Sequence, residues 1–257
     1  MKKVSIITAT YNSAKTIGDT LNSIINQSYL DIELVIVDGA SKDNTLEIVN
    51  SLLLKSNRKK IIVSESDKGL YDALNKGLSL ASGDIIGFLH SDDVFNSSDT
   101  ISQIVEVFLN KKITCVYGDL IYTKQNDLNQ VVRFWKSKPF TANLLKHGWM
   151  PAHPTLFLKK EVYQKHGNFN LSYKIAADYD FMVRILSDSS LNFYYHSKII
   201  TKMRLGGASN ANLKHIIKKT KEDYTIVKFN GIGGMVTIFR KNFSKITQFF
   251  YKNHNDR

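Results

Sequence analysis

The chain has 257 residues, of which 43% are apolar and 11% aromatic, enough for a substantial core, and this composition excludes global disorder. The formal net charge is +12, and residues 198–257 hold 13 Lys and Arg against three acids, a net charge of +10. The basic character therefore lies at the C-terminal end, where it indicates an anionic partner, either a membrane or a nucleic acid.

Cysteine usage and hydropathy indicate a cellular compartment. Cys115 is the only cysteine, so no disulfide can form within the chain, which suits a reducing environment. The apolar run after Lys2 and Lys3 is too short for a signal-peptide core. No apolar stretch reaches the roughly 18 to 20 residues that span a bilayer. We therefore expect a cytoplasmic protein without a membrane-spanning segment.

The first half of the chain alternates β-rich runs with helical patterns. This alternation predicts right-handed crossovers and a mostly parallel central sheet with helices on both faces, an α/β fold. The strands are predicted at residues 4–8, 32–37, 60–64, 84–89 and 114–118.

After residue 120 the alternation loosens. Residues 120–136 predict a hairpin, residues 160–166 a short helix and residues 177–187 a longer one. We expect one domain over residues 1–210, followed by a basic amphipathic helical extension over residues 211–257.

Polar side chains follow four of the predicted strands. Because ligands of parallel sheets bind at the carboxyl ends of the strands, these side chains are expected to line one crevice. The adjacent Asp92 and Asp93 repel each other and resist desolvation, and a bound divalent cation would offset that repulsion. No glycine-rich phosphate loop, zinc-ligand spacing or Gly-x-Ser-x-Gly elbow accompanies them.

Several motifs in order resemble the family 2 glycosyltransferases of the GT-A fold, a Rossmann-like architecture. They are "VSIITATYNSAKTIGDT", "ELVIVDGASKDNT", "ESDKGLYDALNKG" and "GDIIGFLHSDD", and sparser matches continue through "PAHPTLF", "AADYDF" and "RLGGAS" to about residue 210. Within the family, the chain is most similar to bacterial transferases of O-antigen, exopolysaccharide and colanic-acid assembly. The resemblance implies an inverting, metal-dependent transfer of a sugar from a nucleoside diphosphate, expected to be UDP, to a hydroxyl of a lipid-linked saccharide.

The resemblance also implies roles for individual residues. Residues 1–119 become the nucleotide-binding half and residues 120–210 the acceptor-binding half. Asp93 is expected to bind Mn²⁺ or Mg²⁺, and Asp178 to act as general base, although Ala177 replaces the acid that usually precedes the base. Roles in acceptor or diphosphate binding are expected for Trp149, His153 and Arg204. Nucleotide contacts are expected from Thr8, Ala9, Thr10, Tyr11, Asp38, Asp67, Lys68 and Asp92.

Alternatives remain open for several of these residues. Asp38 is also compatible with a plain turn, His153 with a hydrogen-bonded loop histidine, and Arg204 with a surface arginine. Trp149 is equally compatible with a core position. The alternative function is a non-catalytic carbohydrate- or nucleic-acid-binding protein on a transferase-like fold. Retention of the crevice carboxylates argues against it, and we expect no nucleic-acid partner.

The basic extension interleaves lysines with aromatic residues, as in "GGMVTIFRKNFSKITQFFYK". This pattern favours a helix at the surface of an anionic membrane, on the inner face of the cell membrane. The alternative is a helix that packs on the preceding domain and leaves its charges solvated.

Overall fold

The computed structural model describes residues 2–206 and 213–244. Its strands are β1 (Val4–Thr10), β2 (Ile32–Asp38), β3 (Lys59–Ser64), β4 (Ile85–Phe88), β5 (Val94–Phe95), β6 (Cys115–Lys124), β7 (Asp127–Trp135), β8 (Phe157–Lys159) and β9 (Phe193–Arg204). Its helices are α1 (Ile17–Ile25), α2 (Thr45–Leu54), α3 (Leu70–Leu80), α4 (Thr100–Phe108), α5 (Ala142–Lys146), α6 (Lys160–His166), α7 (Ala177–Leu186), α8 (Leu213–Phe229) and α9 (Met235–Phe243). A 3₁₀ turn spans His153–Thr155.

The first four strands form the predicted parallel half of the sheet, in the order β3-β2-β1-β4. Successive residues of β1 face opposite layers. Ile6 packs towards α1, α2 and α4, whereas Ile7 packs towards α3. Because helices cover both faces, β1 and β2 are buried along their whole length, which explains their nearly continuous apolar sequences.

The second half makes the sheet mixed. Strand β8 runs antiparallel to both β4 and β6, while β9 runs parallel to β6 and antiparallel to β5. The predicted strand at 114–118 and the first arm of the predicted hairpin form one continuous strand, β6, which pairs with β7 through a bulged register. The two-residue β5 and the largely half-exposed β9 carry little hydrophobic pattern, so sequence periodicity does not predict them.

Helices α8 and α9 pack against α7 through a small apolar cluster. Tyr179 and Val183 of α7 contact this cluster together with Ile226, Val227 and Ile238. The helices thus pack on the domain through one face. The expected boundary at residue 210 lies outside the described residues. So do residues 207–209 of "RLGGAS" and residues 211–212 and 245–257 of the basic extension. In the described residues, no helix has the length and hydropathy needed to cross a membrane.

Gly87 lies at the junction of the two halves of the sheet, where β4 pairs with β8. A Cβ atom at Gly87 would lie 2.3 Å from Cε1 of Phe157, a fully buried ring. We expect Gly87→Ala to lower the free energy of unfolding by roughly 1–3 kcal/mol, because the buried ring would have to shift within the core. Urea denaturation measures the loss.

The matched control for Gly87→Ala is Gly18→Ala. Gly18 lies in α1, and among the described residues a Cβ atom there would meet only Cγ2 of Ile48, at 3.8 Å. Because Ala favours a helix over Gly, this control should stabilise the protein by up to about 1 kcal/mol. Equal stability of the Gly87→Ala variant and the wild type would contradict the packing described.

Candidate functional site

The carboxyl ends of β1, β2 and β3 lie at one edge of the sheet, because the three strands are parallel neighbours. A Cβ atom at Gly39, just after β2, would lie 2.5 Å from Oδ2 of Asp67 and 3.4 Å from Cδ2 of Tyr11. The absence of a side chain at Gly39 therefore lets the loops after β1 and β3 approach each other. The Tyr11 side chain is 59% exposed, so its ring is available for stacking on a planar ligand.

Asp38 lies at this edge, fully buried at the end of β2. Its carboxylate accepts hydrogen bonds from the Ser41 amide at 3.0 Å, the Ser41 hydroxyl at 2.5 Å and the Ser64 hydroxyl at 2.7 Å. In this structure Asp38 therefore organises the loop after β2, and its contact with a nucleotide stays a prediction.

Other expected nucleotide-binding residues lie at the end of β1 and in the loop after β3. Ala9 is buried in the core cluster on the α3 side of the sheet. The hydroxyls of Thr8 and Thr10 are buried and have no hydrogen-bond partner among the described residues. Asp67 accepts the Gly69 amide at 2.8 Å, and the Lys68 side chain is exposed. Their contacts with a nucleotide stay predictions.

Asp93 lies in the loop between β4 and β5. It is fully buried, and neither carboxylate oxygen has a hydrogen-bond partner within residues 2–206 and 213–244. Burial, with a further contribution from the Asp92 carboxylate, raises the pKa of Asp93 well above its ordinary value, and Arg204 opposes this effect. A buried carboxylate that is only partly compensated by a nearby cation is costly, so this position is suited to a cationic ligand.

The Asp93 carboxylate fits one ligand position of a hard divalent cation. Among the described residues, no group of three or more His, Cys, Asp or Glu side chains is arranged to hold a metal. Magnesium-type cations, however, are commonly held by one or two carboxylates together with substrate phosphates and water. The donor set at Asp93 therefore suits a cation that is bound together with a nucleotide.

Arg204 is buried and joins three segments around this loop. Its guanidinium donates to the carbonyl of Asp92 at 2.8 Å and to that of Gln125 at 3.1 Å, and it lies 2.5 Å from Oδ2 of Asp19. Arg204 is thus not the surface arginine of the alternative interpretation. It braces the Asp92–Asp93 loop, and a contact with a diphosphate stays a prediction.

A cavity of about 570 Å³ joins the two halves of the domain. Residues from α3, the β6–β7 hairpin, the first turn of α7 and the two C-terminal helices line it. Asp178 reaches it from the first turn of α7, and Arg204 lines it from the end of β9. The expected base and the arginine that braces the Asp92–Asp93 loop therefore line the same cavity.

Two histidines line the same cavity. His153 is buried, its ring stacks on Phe88 at a centroid distance of 5.1 Å, and its Nε2 has no hydrogen-bond partner in the described part of the chain. Burial lowers the pKa of His153 to about 4, so this ring is neutral at physiological pH. Burial also lowers the pKa of His90, whose ring centroid is 6.1 Å from that of His153.

The aromatic residues of the cavity differ from those expected. Trp149 packs against Tyr117 and Phe140, at centroid distances of 5.9 Å and 6.2 Å, so the structure favours its core position. Trp135 of β7 lines the cavity instead, where the Arg133 guanidinium lies 5.9 Å from its ring centroid. The turn-rich hairpin sequence did not distinguish Trp135 as a site residue.

The chain is similar in sequence to known proteins. The family model described as Glycosyl transferase family 2 matches residues 5–167. A PGL/p-HBAD biosynthesis glycosyltransferase of Mycobacterium tuberculosis is 33% identical over 208 residues, covering 80% of this chain and 78% of the relative. A chondroitin synthase of Pasteurella multocida is 28% identical over 228 residues, covering 87% of this chain and 23% of the relative.

Two solved structures share the fold. S. aureus TarS 1-349 in complex with UDP-GlcNAc has a TM-score of 0.64 at 19% identity, over 90% of this chain and 66% of that one. The mannosyltransferase PcManGT from Pyrobaculum calidifontis, in complex with GDP-Man and Mn²⁺, has a TM-score of 0.65 at 20% identity, over 86% and 64% of the two chains. This chain spans 39% of a longer TarS structure. The predicted family and fold class are confirmed, and the chain is a GT-A-fold glycosyltransferase that belongs to glycosyl transferase family 2.

Proposed function

We propose that the protein transfers a sugar from a nucleoside-diphosphate sugar, with UDP as the expected nucleotide, to a hydroxyl of a lipid-linked saccharide in bacterial surface-polysaccharide assembly. The observation that carries this proposal is the unpartnered, fully buried Asp93 at the strand-end crevice, beside a cavity that Asp178 lines. Two fold neighbours were solved with UDP-GlcNAc and with GDP-Man, which supports a nucleotide-sugar donor.

In the proposed reaction, Asp178 accepts the proton of the acceptor hydroxyl. The acceptor oxygen forms a bond to the anomeric carbon while the bond from that carbon to the phosphate oxygen breaks. The bonding electrons leave with the nucleoside diphosphate, and attack opposite this leaving group inverts the anomeric configuration. One base is sufficient, because the acceptor is an alcohol and no enzyme-bound sugar forms.

Asp93 is the residue that would hold a divalent cation, Mn²⁺ or Mg²⁺, together with the donor diphosphate. When bound, such a cation supplies electrostatic neutralisation of the charge that develops on the diphosphate. Arg204 fixes the preceding carbonyl, that of Asp92, and therefore holds the loop in place. Tyr11 and Asp67 would contact the base and ribose at the opposite end of the crevice.

A panel of nucleotide sugars tests the donor class. Each donor is incubated with the protein, with Mn²⁺ or with chelator, and release of the nucleoside diphosphate is measured. We expect turnover of at least one UDP-sugar that requires the cation. Undiminished turnover in chelator would contradict the metal assignment, and absence of turnover with every donor and cation would contradict the donor class.

We also propose that the C-terminal helices dock on an anionic membrane surface at the inner face of the cell membrane. Helix α9 exposes four apolar side chains that are each 61–68% accessible, and Arg240 beside them is exposed. The neighbouring Lys228 and Phe229, at the end of α8, are exposed as well. This combination suits insertion of apolar groups beneath anionic headgroups. The four side chains are Met235, Val236, Phe239 and Phe243.

The double variant Phe239→Ser/Phe243→Ser is expected to reduce binding to phosphatidylserine liposomes at least about tenfold, because it removes two apolar groups that would enter the bilayer. The variant should keep its fold, since both rings are exposed. Flotation at low and high salt measures the binding. The control is Leu54→Ser/Leu109→Ser, at two leucines that are 80% and 70% exposed elsewhere on the surface. Equal flotation of both double variants would contradict the docking surface.

A further inference from the structure

Glu222 of α8 holds the backbone that leads into α7. Its carboxylate accepts hydrogen bonds from the amides of Lys174 at 3.1 Å, Ile175 at 2.9 Å and Ala176 at 3.0 Å. Amides at a helix N-terminus have no partner within their own helix, and a carboxylate there also complements the helix dipole. Glu222 therefore fixes the backbone that enters α7, up to Ala176, two residues before Asp178.

Tyr71 of α3 holds Asp178 itself. Its hydroxyl lies 3.0 Å from Oδ1 of Asp178 and 2.8 Å from the carbonyl oxygen of Ile175. Burial and the nearby Asp178 charge raise the pKa of Tyr71, so the phenol keeps its proton and acts as a donor. Its ring packs on Phe169 at a centroid distance of 5.6 Å, which restricts its movement.

The two carboxylate oxygens of Asp178 differ in the hydrogen bonds that they accept. Oδ1 accepts both the Tyr71 hydroxyl and the Tyr179 amide, the latter at 2.8 Å. In the described part of the chain, Oδ2 accepts no hydrogen bond. The carboxylate is therefore oriented through one oxygen, and the other remains able to accept a proton from a substrate.

We propose that Tyr71 and Glu222 are positioning residues that hold Asp178 in its reactive orientation, from the nucleotide-binding half and from the basic C-terminal extension respectively. This inference rests on the proposed role of Asp178 as base. It assigns α8 to the catalytic site as well as to the proposed membrane surface. It also identifies orienting groups for a base whose preceding residue, Ala177, has no side chain able to orient it.

Steady-state kinetics of Tyr71→Phe and Glu222→Gln test the inference, using nucleotide release from the donor that the panel identifies. Each variant should lower kcat on the order of 10- to 100-fold, because a misplaced or freely rotating base rarely adopts the reactive geometry. The KM for the donor should stay within about twofold of the wild type. Thermal unfolding and UDP affinity establish that each variant is folded, and Tyr71→Phe, which removes one oxygen, is the milder change.

Tyr195→Phe is the matched control, because the Tyr195 hydroxyl donates to Oδ1 of Asp119 at 2.8 Å, a partly buried Tyr–Asp hydrogen bond outside the cavity lining. It should keep the wild-type kcat. A second readout is the double-mutant cycle with Asp178→Asn. If Tyr71 and Glu222 act through Asp178, their substitutions should not slow the residual turnover of the Asp178→Asn variant further.

The outcomes separate this inference from the proposed function. Wild-type turnover by Asp178→Asn would overturn the base assignment, and the inference with it. A slow Asp178→Asn variant beside folded Tyr71→Phe and Glu222→Gln variants with wild-type kcat would overturn the positioning role alone. Fully additive losses in the double variants would do the same, because they would show that the two residues act independently of Asp178.

Discussion

Replacing Asp178 with Asn is expected to slow sugar transfer by ~10²–10⁴-fold, the usual contribution of a general base. The amide has nearly the shape of the carboxylate but cannot accept the acceptor proton. Donor binding should persist, because Asp178 lies on α7 and the expected nucleotide contacts lie at the ends of β1 to β4. Single-turnover rates with the preferred donor, together with UDP affinity by calorimetry, separate the two effects.

Asp180→Asn is the control for Asp178→Asn. Asp180 lies in the same helical turn, and its carboxylate lies 3.0 Å from Nε of Arg184, so it has a structural ion-pair partner. We expect this control to retain donor turnover of the same order as the wild type, with a modest loss of stability. Similar losses of turnover in both variants would show that a general disturbance of α7, rather than loss of the base, explains the result.

Replacing Asp93 with Asn is expected to remove cation-dependent turnover and, in chelator, to stabilise the protein. The variant removes a buried charge that has no partner of hydrogen-bond geometry among the described residues. A melting temperature higher by several degrees is expected, since relief of about 1–2 kcal/mol shifts a protein of this size by a few degrees. Mn²⁺ with UDP should raise the melting temperature of the wild type but not that of the variant.

The stability difference at Asp93 should depend on pH. Because the folded-state pKa of Asp93 is raised above its ordinary value of 3.8, the protonated form is favoured in the folded protein. The wild type therefore loses stability relative to Asp93→Asn as pH rises from about that value towards the raised pKa. Asp99→Asn, at an exposed helix cap, is the control substitution. A wild type that is more stable than Asp93→Asn in chelator at neutral pH would contradict the unpartnered carboxylate.

The parallel half of the fold was predictable because its physical signals are local. Buried parallel strands require continuous apolar runs such as "VSIIT" and "ELVIV", and the residues that follow them fall at one edge of the sheet. The position of Asp93 after such a run was therefore sufficient to suggest a cationic ligand, and its complete burial supports that expectation.

The rest of the fold and of the candidate site depends on contacts between residues that are distant in the sequence. Such contacts leave little local pattern. Glu222 bonds the amides of residues 174–176, which lie 46–48 positions earlier, and Tyr71 reaches Asp178 across 107 positions. The hydrogen bond between Asp38 and Ser64 and the ion pair between Arg204 and Asp19 also leave no signal in the sequence. The basic extension was predicted from its charge and its interleaved aromatic residues, and one face of its two helices packs on α7, as the alternative interpretation expects.

The most direct test of the central claim, an inverting transfer at this site, follows donor hydrolysis by proton NMR in real time, with water in place of the acceptor hydroxyl. With an α-linked UDP-sugar and Mn²⁺, the β-anomer of the free sugar should appear first, before mutarotation equilibrates the two forms. The Asp178→Asn variant should release little sugar over the same period. Initial release of the α-anomer by the wild type would contradict the single-displacement account.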